Sequence, residues 1–165
     1  MRRARRPEYE EAGRVTAEAY REFVRPEDED WQRYLDRIAD VADRADRTTV
    51  LVAIEDGGIL GSLTLELEGR VRDEDDEELR PLAADEAHIR MLGVDPSARG
   101  RGVARRLMAE AEQLARGADK RLITLHTTER MRAAQAMYER LGYERTEDRV
   151  FPDGFVLLGY RRRLD

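Results

Sequence analysis

The sequence predicts a single domain of the mixed α/β class. Segments with apolar residues every three or four positions, typical of helices, alternate with short β-branched and aliphatic runs, typical of strands. The chain has 165 residues, of which 41% are hydrophobic, enough for one well-formed core. No internal repeat is visible, so residues 1–165 are assigned to one domain.

The first half is predicted to contain a strand at 2–6, helices at 9–23 and 31–42, and strands at 48–54 and 59–67. The helices follow from apolar residues at helical spacing, and Asp30 is a candidate N-cap for the second one. Asp56-Gly57-Gly58, between the two later strands, is typical of a hairpin turn. The acidic stretch at 66–80 has little to bury and is predicted as a solvated loop.

The second half is predicted to contain a strand at 87–94, a helix from Val103, a strand at 121–127, a helix at 131–141, and strands at 144–151 and 155–162. Gly142 is a typical residue to end the second of these helices. Pro152-Asp153-Gly154 indicates a turn that joins the last two strands as a hairpin. Strands joined by such hairpins lie antiparallel.

The segment between the strand at 87–94 and the helix from Val103 predicts an anion site. Gly100 and Gly102 allow positive φ and close approach, and Arg99 and Arg101 supply positive charge. Free N–H groups and the helix dipole favour a phosphate or pyrophosphate there. A P-loop is excluded because no Lys-Ser or Lys-Thr pair follows, and the dinucleotide fingerprint because its third small residue is missing.

Composition excludes several classes of function. The chain has no cysteine and two histidines, so we expect no disulfide, no cysteine nucleophile and no metal site. A net charge of −6 argues against general binding to nucleic acid. No apolar run is long enough for a signal peptide or a membrane span, so the expectation is a cytoplasmic protein without a membrane partner.

The pattern Arg99-x-x-Gly102-x-Ala104 resembles the R/Q-x-x-G-x-G/A signature of the GNAT superfamily of N-acetyltransferases, which bind acetyl-coenzyme A (acetyl-CoA). The preceding M-L-G-V-D-P is similar to that family's fourth strand and turn, and residues 134–143 are similar to its second motif, a helix ending in L-G-F or L-G-Y. The resemblance covers residues 86–146. It implies a central, mostly antiparallel sheet of six to seven strands flanked by four helices.

The resemblance also implies acetyl-CoA as the co-substrate and a set of residues that bind it. Backbone groups of Leu92, Gly93 and Val94 would hold the pantetheine arm. The pyrophosphate would lie on the main-chain amides of Arg99, Gly100, Arg101, Gly102, Val103 and Ala104.

Tyr138 matches the tyrosine that points at the coenzyme sulfur in many members of the family. Its ordinary pKa of about 10 lies above the value of about 8.5 for a thiol, so it would stay protonated and donate a proton to the departing thiolate. The alternative is an ordinary buried aromatic residue on a helix face.

The base that would deprotonate the acceptor amine is assigned to His88 or Glu86. Many members place a glutamate four residues before the position of Leu92, where this chain has His88. A histidine with a pKa near 6.5 is a competent base at neutral pH, and strand alternation puts Glu86 on the same side as a second candidate. A hydrogen-bonded structural role for His88 is the alternative. His126 and Thr127 end the neighbouring strand and could line the same cleft, but they are interpreted as structural.

The sequence therefore predicts an N-acetyltransferase that moves an acetyl group from acetyl-CoA to a primary amine of a small molecule or peptide by direct attack. Acidic segments at 27–30 and 73–78 suggest the hypothesis of a cationic acceptor, and the alternative is that they are ordinary solvated charge runs. The alternative is a non-catalytic acyl-CoA-binding sensor or regulatory module, because the family's glutamate is absent and Met131 replaces a common asparagine. Members of the family are often homodimers, and the sequence leaves the oligomeric state, the acceptor and the acyl chain open.

Overall fold

A central eight-stranded sheet organises the structure, a computed structural model that describes residues 1–23, 29–71, 80–152 and 154–165. Its elements are β1 (Arg2–Arg3), α1 (Tyr9–Arg21), α2 (Glu29–Ala39), α3 (Val41–Ala45), β2 (Thr49–Glu55), β3 (Gly58–Glu66), β4 (Arg70–Val71), β5 (Arg80–Pro81), β6 (Glu86–Val94), α4 (Val103–Gly117), β7 (Leu122–Thr128), α5 (Arg132–Arg140), β8 (Glu144–Arg145), β9 (Arg149–Val150) and β10 (Val156–Arg163).

The strand order is β1-β2-β3-β6-β7-β10-β8, with β9 also paired to β10. Every pairing in this sheet is antiparallel except that of β6 with β7. The predicted mixed α/β fold with a mostly antiparallel sheet flanked by helices is therefore confirmed. The small pair β4–β5, at the two ends of the predicted acidic loop, stands apart from the sheet.

The two faces of the sheet are covered by different helices. On β2, Leu51 and Ala53 belong to a core cluster that includes one face of α4, whereas Val50 and Val52 pack in a second cluster with α1 and α3. This alternation buries both sides of the strand, as expected for a central sheet with helices on each face. No helix in the described ranges is long and apolar enough to cross a membrane.

Several predicted elements are divided in the structure. The second helix breaks at Asp40, which caps α3 by accepting from the amide of Asp43 at 3.0 Å. The break is filled by the buried guanidinium of Arg44, which donates to the carbonyl oxygens of Asp40 at 2.8 Å and Ile38 at 2.9 Å. The predicted strand at 144–151 is likewise divided into two short strands, β8 and β9. The described chain therefore has five α-helices, not four, and eight strands in the main sheet, not six to seven.

Other boundaries also differ from the prediction. The first strand ends at Arg3, because a 3-10 turn at Arg6–Glu8 follows and contains Pro7. The second helix begins at Glu29, so Asp30 lies inside its first turn and is not its N-cap. Residues 27–28 and 73–78 of the predicted acidic segments lie outside the described residues.

Two glycines place α1 close to its neighbours. A Cβ on Gly93 would lie 2.9 Å from the Cα of Thr16, and a Cβ on Gly13 would lie 1.9 Å from the carbonyl oxygen of Ala39. Helix α1 therefore packs directly on the backbone of β6 and against the end of α2. This packing brings the C-terminal end of α1 beside β6.

Strands β6 and β7 pair over only part of their length. Their parallel pairing covers Glu86 to Ile89 and Leu122 to Leu125, but both strands continue. On the other side of β6, the register with β3 shifts at a bulge where Met91 has a φ of 50°. A bulge bends its strand, and the two strands diverge beyond it. The divergence opens a cleft between the ends of β6 and β7.

Candidate functional site

A cavity of about 800 Å³ lies in this cleft. Its walls come from the end of β6, the glycine loop and first turn of α4, the ends of α1 and β7, and α5. All the predicted coenzyme-binding residues line it except Arg101. The cavity therefore joins the two segments that the sequence singled out, the glycine loop and the Tyr138 helix.

The N-terminus of α4 faces this cavity without a side-chain cap. Gly100 and Gly102 have φ values of 75° and 74°, and Gly102 is the N-cap residue. The first amide to donate along the helix is that of Arg106, to the carbonyl oxygen of Gly102 at 3.1 Å. No acidic residue occupies the first turn, so the amides of Val103 and Ala104 remain available to an anion in the cavity.

Arginine side chains around the loop already have partners. The Arg99 guanidinium lies 2.6 Å from the carboxylate of Glu22, the C-cap residue of α1 and a cavity-lining residue. Arg101 instead pairs with Glu55, away from the cavity. Glu22 carries no sequence signal for this position, because an exposed acid at a helix end has no local pattern that shows what faces it.

A second contact crosses the mouth of the cleft. Arg130, in the turn between β7 and α5, donates to the carbonyl oxygen of Phe23 at 3.2 Å. Both residues line the cavity. Together with the Arg99–Glu22 pair, this contact connects the end of α1 to both sides of the cleft.

Tyr138 is 5% exposed and lines the cavity. Its ring packs against Tyr160 and Tyr143, with centroid distances of 5.6 and 5.9 Å. Burial, followed by the proximity of Tyr160, raises the pKa of the Tyr138 hydroxyl above its ordinary value. Its hydroxyl makes no hydrogen bond to any described residue, so the side chain presents a protonated, available donor to the cavity.

Glu86 does not line the cavity and is 3% exposed. Its carboxylate accepts two bonds from Arg80, at 2.6 and 2.8 Å, and one from the Thr124 hydroxyl at 2.6 Å. Burial alone would raise the pKa of Glu86, but the Arg80 and Thr124 bonds outweigh it and lower the pKa. An ionised carboxylate held this firmly is suited to anchoring its neighbours.

His88 lies behind the cavity wall, and His126 forms part of that wall. His88 is 2% exposed, and its Nδ1 lies 2.8 Å from the Thr124 hydroxyl oxygen. The His126 ring lies 5.4 Å from that of His88, measured between centroids. Burial lowers the pKa of both rings, most strongly for His88, and each is therefore neutral at neutral pH. Thr127 also lines the cavity.

The position of His126 depends on where β7 stops pairing with β6. Alternation along β7 puts His126 on the same face as Thr124, but the sequence does not show that the pairing ends one residue before it. Of the two options that the sequence leaves for His126, a place at the cleft and a structural role, the structural role was favoured, whereas the structure places His126 in the cavity wall.

Comparisons of sequence and of structure with known proteins point to the same family. The model of the acetyltransferase (GNAT) family matches residues 14–143. No match was found among curated protein sequences. A GNAT-family acetyltransferase from Desulfovibrio desulfuricans superposes with a TM-score of 0.72 at 19% identity, covering 100% of this chain and 98% of that one.

Two further solved structures share the fold. The Salmonella typhimurium protein yncA, described as an acetyltransferase and solved with its cofactor acetyl-CoA, has a TM-score of 0.69 at 18% identity, over 99% of this chain and 92% of that one. A ribosomal-protein-alanine N-acetyltransferase from Brucella melitensis has a TM-score of 0.66 at 19% identity, over 98% of both chains.

Proposed function

This chain belongs to the GNAT family of acetyltransferases, and from that premise we propose that it transfers an acetyl group from acetyl-CoA to a primary amine of a small molecule or peptide. One observation carries the proposal. The uncapped N-terminus of α4 and Tyr138 line a single cavity, which thus joins a candidate anion site to a candidate proton donor.

The residues that line the cavity fit the chemistry of the coenzyme. Its diphosphate would accept hydrogen bonds from the amides that open α4. Its pantetheine arm carries amide groups, which would pair with the β6 backbone at Leu92, Gly93 and Val94, beyond the point where β7 pairs with it. The cavity volume of about 800 Å³ lies within the range typical of small-molecule and cofactor sites.

When bound, acetyl-CoA would supply a thioester whose carbonyl carbon accepts the amine and whose sulfur leaves. Tyr138 would donate its proton to that sulfur, since its raised pKa keeps the hydroxyl protonated. Of the two residues predicted to act as base, Glu86 is occupied by Arg80 and Thr124. His88 is neutral but does not line the cavity. The His126 ring, whose centroid lies 5.4 Å from that of His88, does line it.

The amine acceptor is supported by the chemistry of the site and by one relative. A neutral imidazole at the wall suits the removal of a proton from an ammonium group, the form in which an amine of pKa near 10 arrives at neutral pH. The Brucella melitensis relative is named for acetylation of a ribosomal-protein alanine. A primary amine is thus the acceptor class we propose for this chain.

The test is acetyl-CoA binding followed by amine-dependent thiol release. Acetyl-CoA at 100 times its dissociation constant should stabilise the protein by about 2.7 kcal/mol, seen as a rise in Tm. A thiol reagent then follows free CoA during incubation with a panel of amines. The assay has no protein background, because the chain contains no cysteine. Acetylated amine is identified by mass spectrometry.

Two results would contradict the proposal. Failure of acetyl-CoA to raise the Tm would remove the coenzyme assignment. Protection without thiol release for any amine would instead favour a non-catalytic acyl-CoA-binding module.

A further inference from the structure

We propose that His126 is the catalytic base that takes a proton from the acceptor ammonium, and that Glu86, Thr124 and His88 form a positioning relay behind it. The inference rests on the proposed acetyl transfer and names the side chain that takes the proton and the side chains that position it. It starts from a chain of three hydrogen-bonded side chains that ends beside the cavity.

The direction of each hydrogen bond in the relay follows from its donors and acceptors. The Thr124 hydroxyl has one proton, and its two acceptors are the Glu86 carboxylate at 2.6 Å and the Ala87 carbonyl oxygen at 3.4 Å. Neither of these groups can donate. The Thr124 oxygen must therefore accept from Nδ1–H of His88, 2.8 Å away. His88 is thus held as the Nδ1–H tautomer, with its lone pair on Nε2.

The start of the relay is held firmly at Glu86. Both carboxylate oxygens accept from Arg80, and the Ala83 amide lies 3.3 Å from one of them. A carboxylate that keeps these bonds stays ionised and can only accept. The hydrogen bonds of Thr124 and His88 therefore keep one direction across the neutral pH range.

His126 is the next side chain on the same face of β7 as Thr124. It lines the cavity, and its ring lies beside the His88 ring at an interplanar angle of 51°. A neutral His88 with an unprotonated Nε2 does not oppose charge on His126, as an imidazolium would. The relay thus keeps the His88 ring neutral, and a neutral neighbour permits His126 to take a proton.

Desolvation and the charged groups around His126 together lower its pKa and keep it neutral before the reaction. His126 is exposed at the cavity wall, and its partial desolvation there has the largest effect and lowers its pKa. The cations of Arg80 on β5 and Arg149 on β9 act in the same direction. The carboxylate of Glu86 on β6 raises it. Neutral His88 also faces the ring from β6, and Arg130 lies at the same cavity.

In this step one proton leaves the ammonium for His126. An N–H bond of the ammonium breaks, a new bond to the His126 imidazole forms, and the freed electron pair on nitrogen attacks the thioester carbon. As the C–S bond breaks, Tyr138 protonates sulfur and recovers a proton from the new amide nitrogen. One proton remains on His126 and leaves to water, which matches the products, an amide and a thiol.

The tautomer can be measured on the free protein by nitrogen-15 NMR of the imidazoles. The chain has only two histidines, so a His126→Gln variant assigns both sets of signals. We expect His88 to show Nδ1–H from pH 5.5 to 8. Thr124→Val should lose this preference, and Thr124→Ser, which keeps the hydroxyl, should retain it. Nε2–H on His88 in the wild type would overturn the relay.

The base is tested by the pH profile of kcat/KM for the best amine of the panel. His126→Gln should lower kcat about 100-fold or more and remove the acidic limb of the profile. The dissociation constant for acetyl-CoA should change less than twofold. Thr124→Val should move the acidic limb, and Thr124→Ser should restore it. Because His126 faces the cavity, its replacement leaves the buried core unchanged.

Failure of the His126 assignment can be distinguished from failure of the proposed function. A His126→Gln variant with wild-type kcat and an unchanged acidic limb would overturn the base while leaving acetyl transfer intact. A wild-type protein that releases no thiol with any amine would overturn the proposed function and this base together.

Discussion

The Arg99 guanidinium lies 2.6 Å from the Glu22 carboxylate, so an arginine of the anion site is held by an acid on the opposite wall of the cleft. Both side chains are about half exposed, at 44% and 47%, and an exposed pair of this kind contributes only about 0.2–1 kcal/mol. The pair is therefore weak enough for a diphosphate to displace. Until then it neutralises part of the positive charge of the site.

Replacing Glu22 should tighten coenzyme binding. Glu22→Gln removes both the competitor for Arg99 and a negative charge at the cavity, so the dissociation constant for acetyl-CoA should fall about two- to fivefold at low salt. The gain should shrink at 0.5 M salt. Calorimetric titration measures the dissociation constants. The control is Glu18→Gln, which removes an exposed pair with Arg21 on the same helix. Equal or weaker binding of Glu22→Gln would show that the Arg99 guanidinium adds nothing to coenzyme binding.

A side chain at Gly102 should abolish coenzyme binding. Gly102 has a φ of 74°, where an L residue is strained, and no atom lies within 4 Å of its would-be Cβ. Gly102→Val should therefore lose stability and disturb the amides that open α4. Gly142→Val is a matched control, since Gly142 has a φ of 82° and similar open space but does not line the cavity. Calorimetry should show binding lost only in Gly102→Val; unchanged affinity there would refute the pyrophosphate assignment.

The glycine loop was predictable because its signal is local. Gly100, Gly102 and Arg99 are neighbours in sequence, and positive φ, free amides and charge all follow from those few residues. The strands and helices were predictable for the same reason, since periodicity is a property of short segments.

Contacts between distant segments were not predictable. Glu22 and Arg99 are far apart in sequence, and His126 reaches the cleft only because β6 and β7 stop pairing at Leu125. The break between α2 and α3 was not predicted, because an arginine is ordinarily exposed, whereas the Arg44 guanidinium is buried against backbone carbonyls. Each of these depends on which elements meet, and no local pattern encodes that.

Loss of the Tyr138 hydroxyl should slow turnover without weakening coenzyme binding. Tyr138→Phe keeps the ring packed against Tyr160 and Tyr143 but removes the proton for the leaving sulfur. We expect kcat to fall at least tenfold and the acetyl-CoA dissociation constant to stay within twofold. Tyr143→Phe is the control, because its hydroxyl donates to Glu112 at 3.1 Å and serves stability. Full activity of Tyr138→Phe would remove the acid role.

A methyl group on Gly13 should destabilise the protein although alanine is the better helix former. Its Cβ would lie 1.9 Å from the carbonyl oxygen of Ala39, so α1 and α2 must move apart. Overpacking of this kind costs about 1–3 kcal/mol, against a gain of about 1 kcal/mol in helix propensity. Urea unfolding should show a net loss for Gly13→Ala. Gly117→Ala in α4, where nothing lies within 4 Å, should be neutral or stabilising, and the same result at Gly13 would contradict the close contact.

The Glu86 carboxylate should make the fold sensitive to acid. Burial opposes its ionisation, but Arg80 and Thr124 lower its pKa below the ordinary value of 4.5. The folded state therefore binds fewer protons than the unfolded state near that pH, and stability is lost as pH falls through the folded pKa. Above about pH 5, Glu86→Gln should cost about 1.5–3 kcal/mol, because it weakens charged hydrogen bonds that join β5, β6 and β7.

The comparison that checks this is urea unfolding of wild type and Glu86→Gln between pH 7 and pH 3. The free energy of unfolding of the wild type should exceed that of Glu86→Gln most at pH 7, and this difference should shrink below pH 4.5. Protonation of Glu86 removes from the wild type the same charged hydrogen bonds that the substitution removes. Glu11→Gln provides the contrast, since Glu11 pairs with Arg14 where both side chains are exposed, at 46% and 58%, and the pair adds little. A constant gap between wild type and Glu86→Gln across this range would mean that the Glu86 carboxylate keeps its ordinary pKa. The Thr124 hydroxyl would then lack the fixed acceptor on which the orientation of His88 depends.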